Sequence, residues 1–202
     1  MKPSTKGFLL GLFVGAILMV AVEFLGLMGL GLLINSGVGR EWIADQTLRA
    51  PRYPSTDALP ALAQADYDWG LKTLDGDDVP FSDFRDKTVF LNVWATWCSP
   101  CVMEMPSIER LHQAVGSSEV AFVIVSKEHP HTVSLFLEDQ ELDLPLYVVE
   151  ELPEAFESSS VPVTYIIDPG GQVVFKHRGA AKWDDATSVA FLQALGGRID
   201  DS

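Results

Sequence analysis

The sequence predicts an α/β domain with a central sheet flanked by helices, preceded by one membrane-spanning helix. Three observations support this. Residues 7–34 are apolar almost throughout, and from residue 66 onward short apolar runs alternate with amphipathic segments. Two of those runs, 88–95 and 120–126, are nearly continuously apolar, which is typical of strands buried on both faces. With 202 residues, the chain has room for one ordinary domain and an additional segment.

The N-terminal apolar run carries a single charge, Glu23, between residues 7 and 34. A helix needs roughly 20 apolar residues to cross a bilayer, and this run is longer. A cleaved signal peptide is the alternative, but its apolar region is typically about 7–15 residues, and no small-x-small cleavage site follows. We therefore expect residues 7–34 to be a retained transmembrane anchor.

Charges flanking the apolar run predict its orientation. Lys2 and Lys6 precede it, whereas Arg40 follows it among acidic residues. The bias places residues 1–6 in the cytoplasm and the C-terminal bulk in the periplasm or an equivalent space, with one pass through the cell inner membrane. The net charge of −14 argues against nucleic acid and anionic membrane surfaces as partners.

The segment after the anchor is predicted to be a linker. Residues 35–65 are rich in Ala, Pro, Arg and Asp and have no sustained period. The domain then occupies residues 66–202. It opens with a predicted hairpin, 68–74 and 79–81, around the turn residues Asp75 and Gly76.

A strand, a helix and a second strand follow the hairpin and a single turn. The run at 88–95 predicts the first strand, and 120–126 predicts the second. A helix is expected from residue 98 to about 115, because apolar side chains recur there every three or four residues, at Met105, Ile108, Leu111 and Val115.

The remaining elements complete an α/β pattern. They are a helix at 132–140, a strand at 144–149, a short helix at 152–158, a hairpin of 163–168 and 173–178, and a helix at 184–195. The turn residues Pro169, Gly170 and Gly171 join the two strands of that hairpin. Strands that alternate with helices imply a sheet covered on both faces.

The two cysteines of the chain, Cys98 and Cys101, are spaced C-x-x-C. A structural zinc site needs four ligands, and no second cysteine pair exists. Haem attachment needs a histidine directly after the second cysteine, where this sequence has Val102. The remaining interpretation is a redox-active dithiol.

The position of this motif favours redox chemistry. Cys98 stands where a buried strand ends and a helix begins, so backbone N–H groups and the helix dipole favour a thiolate there and lower its pKa from about 8.5. Cys101, one turn further on, is the expected resolving thiol. Pro100 suits the first helical turn. Together with Ser99 and the flat ring of Trp97, it is expected to contact the substrate.

The segment NVWATWCSPCVMEMPSIERL resembles the active-site segment of TlpA/ResA-like proteins, the membrane-tethered branch of the thioredoxin superfamily. The resemblance extends to DWGLKTLDG, VSKEH, LDLPLYVV and VPVTYIIDPGGQVV, and so covers about residues 66–195. Pro106 matches the proline that kinks the active-site helix of thioredoxins. The resemblance implies a thioredoxin-like fold and a thiol:disulfide oxidoreductase that needs no cofactor.

Two further site features are implied by the resemblance. Glu104 is expected to lie buried beneath the dithiol and to accept the proton of Cys101, the alternative being a solvated helix glutamate. Asn92 stands where thioredoxin has a buried aspartate, which favours the buried role. Val161 and Pro162 resemble the cis-proline loop that pairs with an incoming peptide, the alternative being an ordinary proline at the start of a strand.

We expect the domain to reduce disulfides of partner proteins, with electrons from a transmembrane thiol donor. In the resembled family this reaction serves assembly of c-type cytochromes or of the copper centre of cytochrome oxidase. Two alternatives remain. One is a disulfide-forming oxidant, and the other is a copper carrier that uses both thiolates and a histidine. Scattered histidines such as His129, His131 and His177 are usually surface groups, so no metal is expected. A peroxidase is disfavoured, since Thr96 lies two rather than three residues before Cys98.

Overall fold

The computed structural model describes residues 19–29, 31, 43–116, 120–138, 140 and 142–197. It divides into two compact units, Met1–Ile43 and Ala44–Ser202. Most of the predicted anchor, and the short segment before it, lie outside the described residues; residues 19–29 are helical. Of the helices in the described ranges, none combines the length and the apolar character that a membrane crossing requires.

Besides the short helical segment at 44–47, the second unit contains eight strands, three α-helices and two 3-10 turns among its described residues. In chain order these are β1 (Ala63–Gln64), β2 (Gly70–Thr73), β3 (Asp78–Pro80), a 3-10 turn (Phe81–Phe84), β4 (Thr88–Trp94), α1 (Ser99–Val115), β5 (Val120–Ser126), α2 (Pro130–Leu137), β6 (Leu146–Val148), a 3-10 turn (Glu154–Phe156), β7 (Val163–Ile167), β8 (Gln172–Arg178) and α3 (Ala186–Gly196).

All eight strands form one mixed sheet in the order β1-β8-β7-β4-β5-β6-β2-β3. The pairs β4–β5 and β5–β6 are parallel, and every other neighbouring pair is antiparallel. The central strand β4 is buried along its whole length, as its continuous apolar run predicts. The strand ends at Trp94, four residues before Cys98. The two cysteines therefore follow the C-terminal end of the central strand.

The three helices pack against the same face of the sheet, and other segments cover the opposite face, so the sheet is covered on both faces as predicted. Phe90 and Trp94 of β4 meet side chains of α1, α2 and α3 on that face. Successive right-handed crossovers from β4 to β5 and from β5 to β6 run the same way across the sheet, so they place α1 and α2 on one side. The opposite face is covered by the 3-10 turns and residues 65–69, with an aromatic cluster that includes Phe81 and Phe156.

The described part of the predicted linker packs against the domain from residue 44 onward. Tyr53 lies against the rings of Phe175 and Phe191, and β1 pairs with the edge of β8. The compact unit therefore begins before residue 66, where the sequence placed the domain boundary. A single aromatic residue and a two-residue strand have no periodicity, so the sequence pattern does not reveal them.

Local capping groups set the helix ends. Cys98 is the N-cap of α1 and Pro100 stands in its first turn, where a missing N–H costs nothing. Gly116, with a φ of 43°, ends α1 in the left-handed region that glycine adopts readily. Asp185 begins α3 by accepting a hydrogen bond from the backbone N–H of Thr187 at 2.9 Å.

Candidate active site

Cys98 and Cys101 form a disulfide at the N-terminus of α1, with their Cα atoms 5.2 Å apart. Cys98 is 5% exposed, whereas Cys101 is completely buried. An incoming disulfide therefore reaches Cys98 first. The assignment of Cys98 as the attacking sulfur and Cys101 as the resolving one stays a prediction.

The first turn of α1 provides a favourable environment for negative charge at Cys98. The backbone N–H of Cys101 points at the Cys98 Sγ, with 3.3 Å between nitrogen and sulfur. No acidic residue occupies that turn. When the disulfide is reduced, this N–H and the helix dipole stabilise a thiolate on Cys98, which lowers the pKa of a thiol at such a position.

The loop before β7 lies against the dithiol. The peptide bond between Val161 and Pro162 is cis, which confirms that part of the prediction. The backbone oxygen of Val161 lies 3.6 Å from the Cys98 Sγ, so a reduced Cys98 thiol can donate to it. The carbonyl of Pro162 accepts from the N–H of Gly179, and this bond fixes the loop to the end of β8.

The side chains around Cys98 present a small apolar surface. Trp97 is 74% exposed, and Ser99 and Pro100 are also exposed. A solvent-exposed tryptophan next to Cys98 offers apolar area that a docking partner can bury. The structure thus places all three predicted contact residues at the surface beside Cys98.

Glu104 lies on α1 and is fully buried, so the alternative of a solvated helix glutamate is wrong. Its Oε2 accepts from the backbone N–H of Ala181 at 2.9 Å and from the indole N–H of Trp183 at 2.8 Å. Its Oε1 accepts from the Asn92 Nδ2 at 2.9 Å. Burial raises the pKa of Glu104 to about 7, and these three hydrogen bonds oppose the rise.

A buried polar cluster extends from Glu104 into the sheet. Asn92 Nδ2 also donates to the Thr164 Oγ1 at 2.9 Å, while the Asn92 Oδ1 is buried without a partner. Ser107 Oγ donates to the backbone oxygen of Glu104 at 2.8 Å and accepts from the N–H of Trp183 at 3.2 Å. Of this cluster, sequence reasoning identified only Glu104 and Asn92. A polar residue within the apolar run VTYII was the available signal for Thr164.

Glu128 holds the loop that leads to Cys98, and sequence reasoning did not identify this role. Its carboxylate accepts from the backbone N–H and from the hydroxyl of Thr96, each at 2.7 Å. It also accepts from the Ser126 hydroxyl at 3.1 Å. The end of β5 is thereby tied to the loop between β4 and α1.

The three histidines have separate surroundings. His129 caps α2 and accepts from the N–H of His131 at 3.2 Å. His177 is half-buried on β8 with its ring edge-on to Trp183, and burial lowers its pKa. Within the part of the chain that the structure describes, there is no group of three or more His, Cys, Asp or Glu side chains positioned to hold a metal ion.

Comparison with known proteins gives consistent matches to one family. Residues 63–176 match the model of the AhpC/TSA family. The chain is 35% identical over 117 residues to the thioredoxin-like protein YneN of Bacillus subtilis, covering 55% of this chain and 68% of that protein. It is 34% identical over 109 residues to the thiol-disulfide oxidoreductase ResA of Geobacillus kaustophilus, where the match covers 52% of this chain and 63% of the relative.

Solved structures confirm a thioredoxin-like α/β fold with a mixed sheet. StoA from Bacillus subtilis matches with a TM-score of 0.51 and 21% identity over 67% of this chain and 98% of its own. A thiol:disulfide interchange protein of the thioredoxin family from Chlorobium tepidum matches with a TM-score of 0.53 and 23% identity over 71% of this chain and 99% of its own. The name of the 34% identical relative, thiol-disulfide oxidoreductase, supports the prediction of an oxidoreductase.

Proposed function

The chain belongs to the AhpC/TSA family, and from this membership we propose that it is a thiol–disulfide oxidoreductase acting on disulfides of partner proteins. One observation carries the proposal. Cys98, which is 5% exposed, and Cys101, which is fully buried, stand at the start of α1, and a buried carboxylate, Glu104, lies one helical turn after Cys101. Two sulfurs of unequal access and a nearby proton acceptor are what sequential dithiol exchange requires.

The proposed reaction transfers two electrons to the partner. The reduced Cys98 thiolate attacks one sulfur of the partner's disulfide, and the other sulfur leaves as a thiolate that takes up a proton. Cys101 then loses its proton to the Glu104 carboxylate and attacks the Cys98 Sγ. The mixed disulfide breaks, and the partner's second sulfur leaves as a thiolate that takes up the proton held by Glu104. The partner then has two thiols, and the bond between Cys98 and Cys101 is restored.

The loop carrying Val161 is the proposed docking edge. Its backbone oxygen, 3.6 Å from the Cys98 Sγ, can accept from a backbone N–H of an extended partner segment. The exposed ring of Trp97 would cover apolar side chains of the same segment. This arrangement aligns the partner's disulfide with Cys98.

We assign the chain the direction of a reductant in an extracytoplasmic space. The apolar run at 7–34 supports tethering to the inner membrane, and an oxidising space already contains disulfides for a specific reductant to act on. A transmembrane thiol donor would regenerate the dithiol. The resemblance to the TlpA/ResA branch supports a role in assembly of c-type cytochromes or of the oxidase copper centre.

Trapping and the reduction potential test this function. With the full chain, Cys101→Ser should accumulate a mixed disulfide with a model disulfide protein, because the resolving thiol is missing. Cys98→Ser should accumulate none. Equal trapping by both variants would contradict the assigned order of attack. A reduction potential near roughly −120 mV, as in strong oxidants, would replace the reductant by a disulfide-forming oxidant.

A further inference from the structure

Residues 45–53, which we call the strap, contact β8, α3 and the loop between them. The ring of Tyr53 lies 4.4 Å from the ring of Phe191 and 4.7 Å from that of Phe175. Its hydroxyl donates to the Ser188 Oγ at 2.9 Å. One end of the strap is thus fixed on the last strand and the last helix of the domain.

The other end of the strap is fixed to Lys182, in the loop between β8 and α3. The backbone N–H of Lys182 donates to the backbone oxygen of Arg49 at 3.0 Å. The Lys182 amine also pairs with the carboxylate of Asp45. Because that ion pair is exposed, it adds little, and the backbone hydrogen bond is the main tie.

The peptide N–H that binds the strap, that of Lys182, is therefore the neighbour of the peptide N–H that binds the Glu104 carboxylate, that of Ala181. The N–H of the peptide between Ala181 and Lys182 donates to the backbone oxygen of Arg49 at 3.0 Å. The oxygen of this peptide lies 3.4 Å from the Ser107 Oγ, whose one hydrogen is donated to the Glu104 backbone oxygen at 2.8 Å. The N–H of Ala181, on the preceding peptide, donates to the Glu104 carboxylate at 2.9 Å. The two peptides share the Cα atom of Ala181. Rotation of the backbone at Ala181 would therefore turn the Ala181 N–H away from the Glu104 carboxylate.

We propose that the strap is a positioning element for Glu104, keeping the N–H groups of Ala181 and Trp183 on its carboxylate and so stabilising the ionised form that receives the Cys101 proton. This inference deepens the proposed function and rests on it for the proton transfer. Burial disfavours the charged carboxylate, and the N–H donors are what opposes that effect. Loosening the strap would weaken the hydrogen bonds from Ala181 and Trp183, two of the three that the Glu104 carboxylate accepts. The protonated, neutral form of Glu104 would then be favoured.

Few other groups around Glu104 change charge near neutral pH. Asn92 on β4 and Thr164 on β7 do not ionise, Cys101 precedes Glu104 by one turn on α1, His177 on β8 lies edge-on to Trp183, and Lys182 follows Ala181 in the loop. The further charged or titratable side chains on α1 are Glu109, Arg110 and His112, and those on β8 are Lys176 and Arg178. In the oxidised chain Cys101 does not titrate. The experiment therefore uses the oxidised chain and follows the Glu104 carboxyl carbon itself, so that His177 is not mistaken for it.

The test is a carbon-13 NMR titration of the full chain in detergent, with the Glu104 signal assigned by its loss in Glu104→Gln. Tyr53→Ala removes the ring that anchors the strap, and the pKa of Glu104 should rise by roughly half a unit or more, as expected when donors to a carboxylate weaken. Tyr53→Phe keeps the ring contacts and should give a smaller rise. It also carries the test if the alanine variant does not fold.

The matched control is Phe84→Ala, on the opposite face of the sheet, where the ring contacts Phe81 and Tyr147. It removes a comparable aromatic contact without touching the strap, and should leave the titration of Glu104 unchanged. An unchanged pKa of Glu104 in both Tyr53 variants, or an equal shift in Phe84→Ala, would overturn the proposal. So would a fall in either Tyr53 variant, since it would mean entry of water rather than loss of donors.

A kinetic readout separates this inference from the proposed function. The pH profile of disulfide reduction should move upward in Tyr53→Ala, and this movement should vanish when Tyr53→Ala is combined with Glu104→Gln. A movement that persists in the double variant would contradict the route through Glu104. If the chain reduced no disulfide at all, the proposed function would fail, while the NMR titration would still decide the effect of the strap.

Discussion

At the scale of single residues, the buried carboxylate of Glu104 is the group whose ionisation the site controls most closely. Burial raises its pKa to about 7, and the N–H donors of Trp183, Ala181 and Asn92 oppose that rise. A carboxyl with a pKa near the working pH is suited to take up a proton and return it. Its place one turn from Cys101 is the basis for the role that we propose for it in the resolving step.

Glu104→Gln is expected to remove this proton acceptor while preserving size and shape. In the wild-type chain, resolution of the mixed disulfide should accelerate as the pH rises through about 7, because the ionised carboxylate accepts the Cys101 proton. The variant should lose this acceleration and resolve roughly 100-fold more slowly at pH 8. Rapid mixing with a preformed mixed disulfide measures the step.

The attack by Cys98 is the internal control for that experiment, because Glu104 lies below Cys101 and not beside the attacking sulfur. Its rate should change little in Glu104→Gln. Identical pH profiles for resolution in the two proteins would show that another group accepts the proton.

The sequence identifies the site residues that share a local motif, and misses those that tertiary packing brings in. Cys98, Cys101 and Glu104 lie within seven residues of one another. Ala181 and Trp183 meet Glu104 across 77 and 79 residues of chain. Ala181 also contributes only a backbone N–H, which every residue except proline has, so its identity carries no signal.

At the scale of elements, the loop between β4 and α1 depends on a carboxylate from the end of β5. Glu128 accepts three hydrogen bonds, two of them from Thr96, which stands two residues before Cys98. Loops that carry reactive groups need such fixed supports, because their own backbone has few regular partners.

Glu128→Ala is expected to lower the free energy of unfolding by roughly 2 kcal/mol, since it leaves the partly buried donors of Thr96 without a charged partner. Chemical denaturation of the oxidised chain measures the change. The matched control is Glu157→Ala, which breaks only the exposed pair between Glu157 and Lys127. That loss should stay below about 1 kcal/mol. Equal losses in the two variants would mean that Glu128 does not support the loop.

Element boundaries were predictable where a buried apolar run is continuous. The predicted bounds of β5 agree with the structure, and β4 ends one residue earlier than predicted. The α1 helix begins after Cys98 because that residue acts as its N-cap. The edge strand β1 was missed, since two residues cannot show alternation and only their pairing with β8 makes them a strand.

At the scale of the whole molecule, Glu104 couples folding to pH. Its ordinary pKa of 4.5 applies to the unfolded chain, whereas its pKa in the folded chain is about 7. Between these values the folded state holds a proton that the unfolded state has released. The free energy of unfolding therefore falls as the pH rises from 4.5 through about 7, and levels off above that range.

The expected loss from this one group is roughly 3 kcal/mol, because each unit of pKa difference corresponds to about 1.4 kcal/mol. Denaturant unfolding of the oxidised wild type and of oxidised Glu104→Gln at pH 5 and pH 8 isolates it. Both proteins share all other titrating groups, and the disulfide keeps Cys98 and Cys101 from titrating. Wild type should lose roughly 3 kcal/mol more than the variant between the two pH values. Parallel losses would mean that Glu104 is ionised with little cost in the folded chain, and its proposed service as a proton acceptor near neutral pH would lose its physical basis.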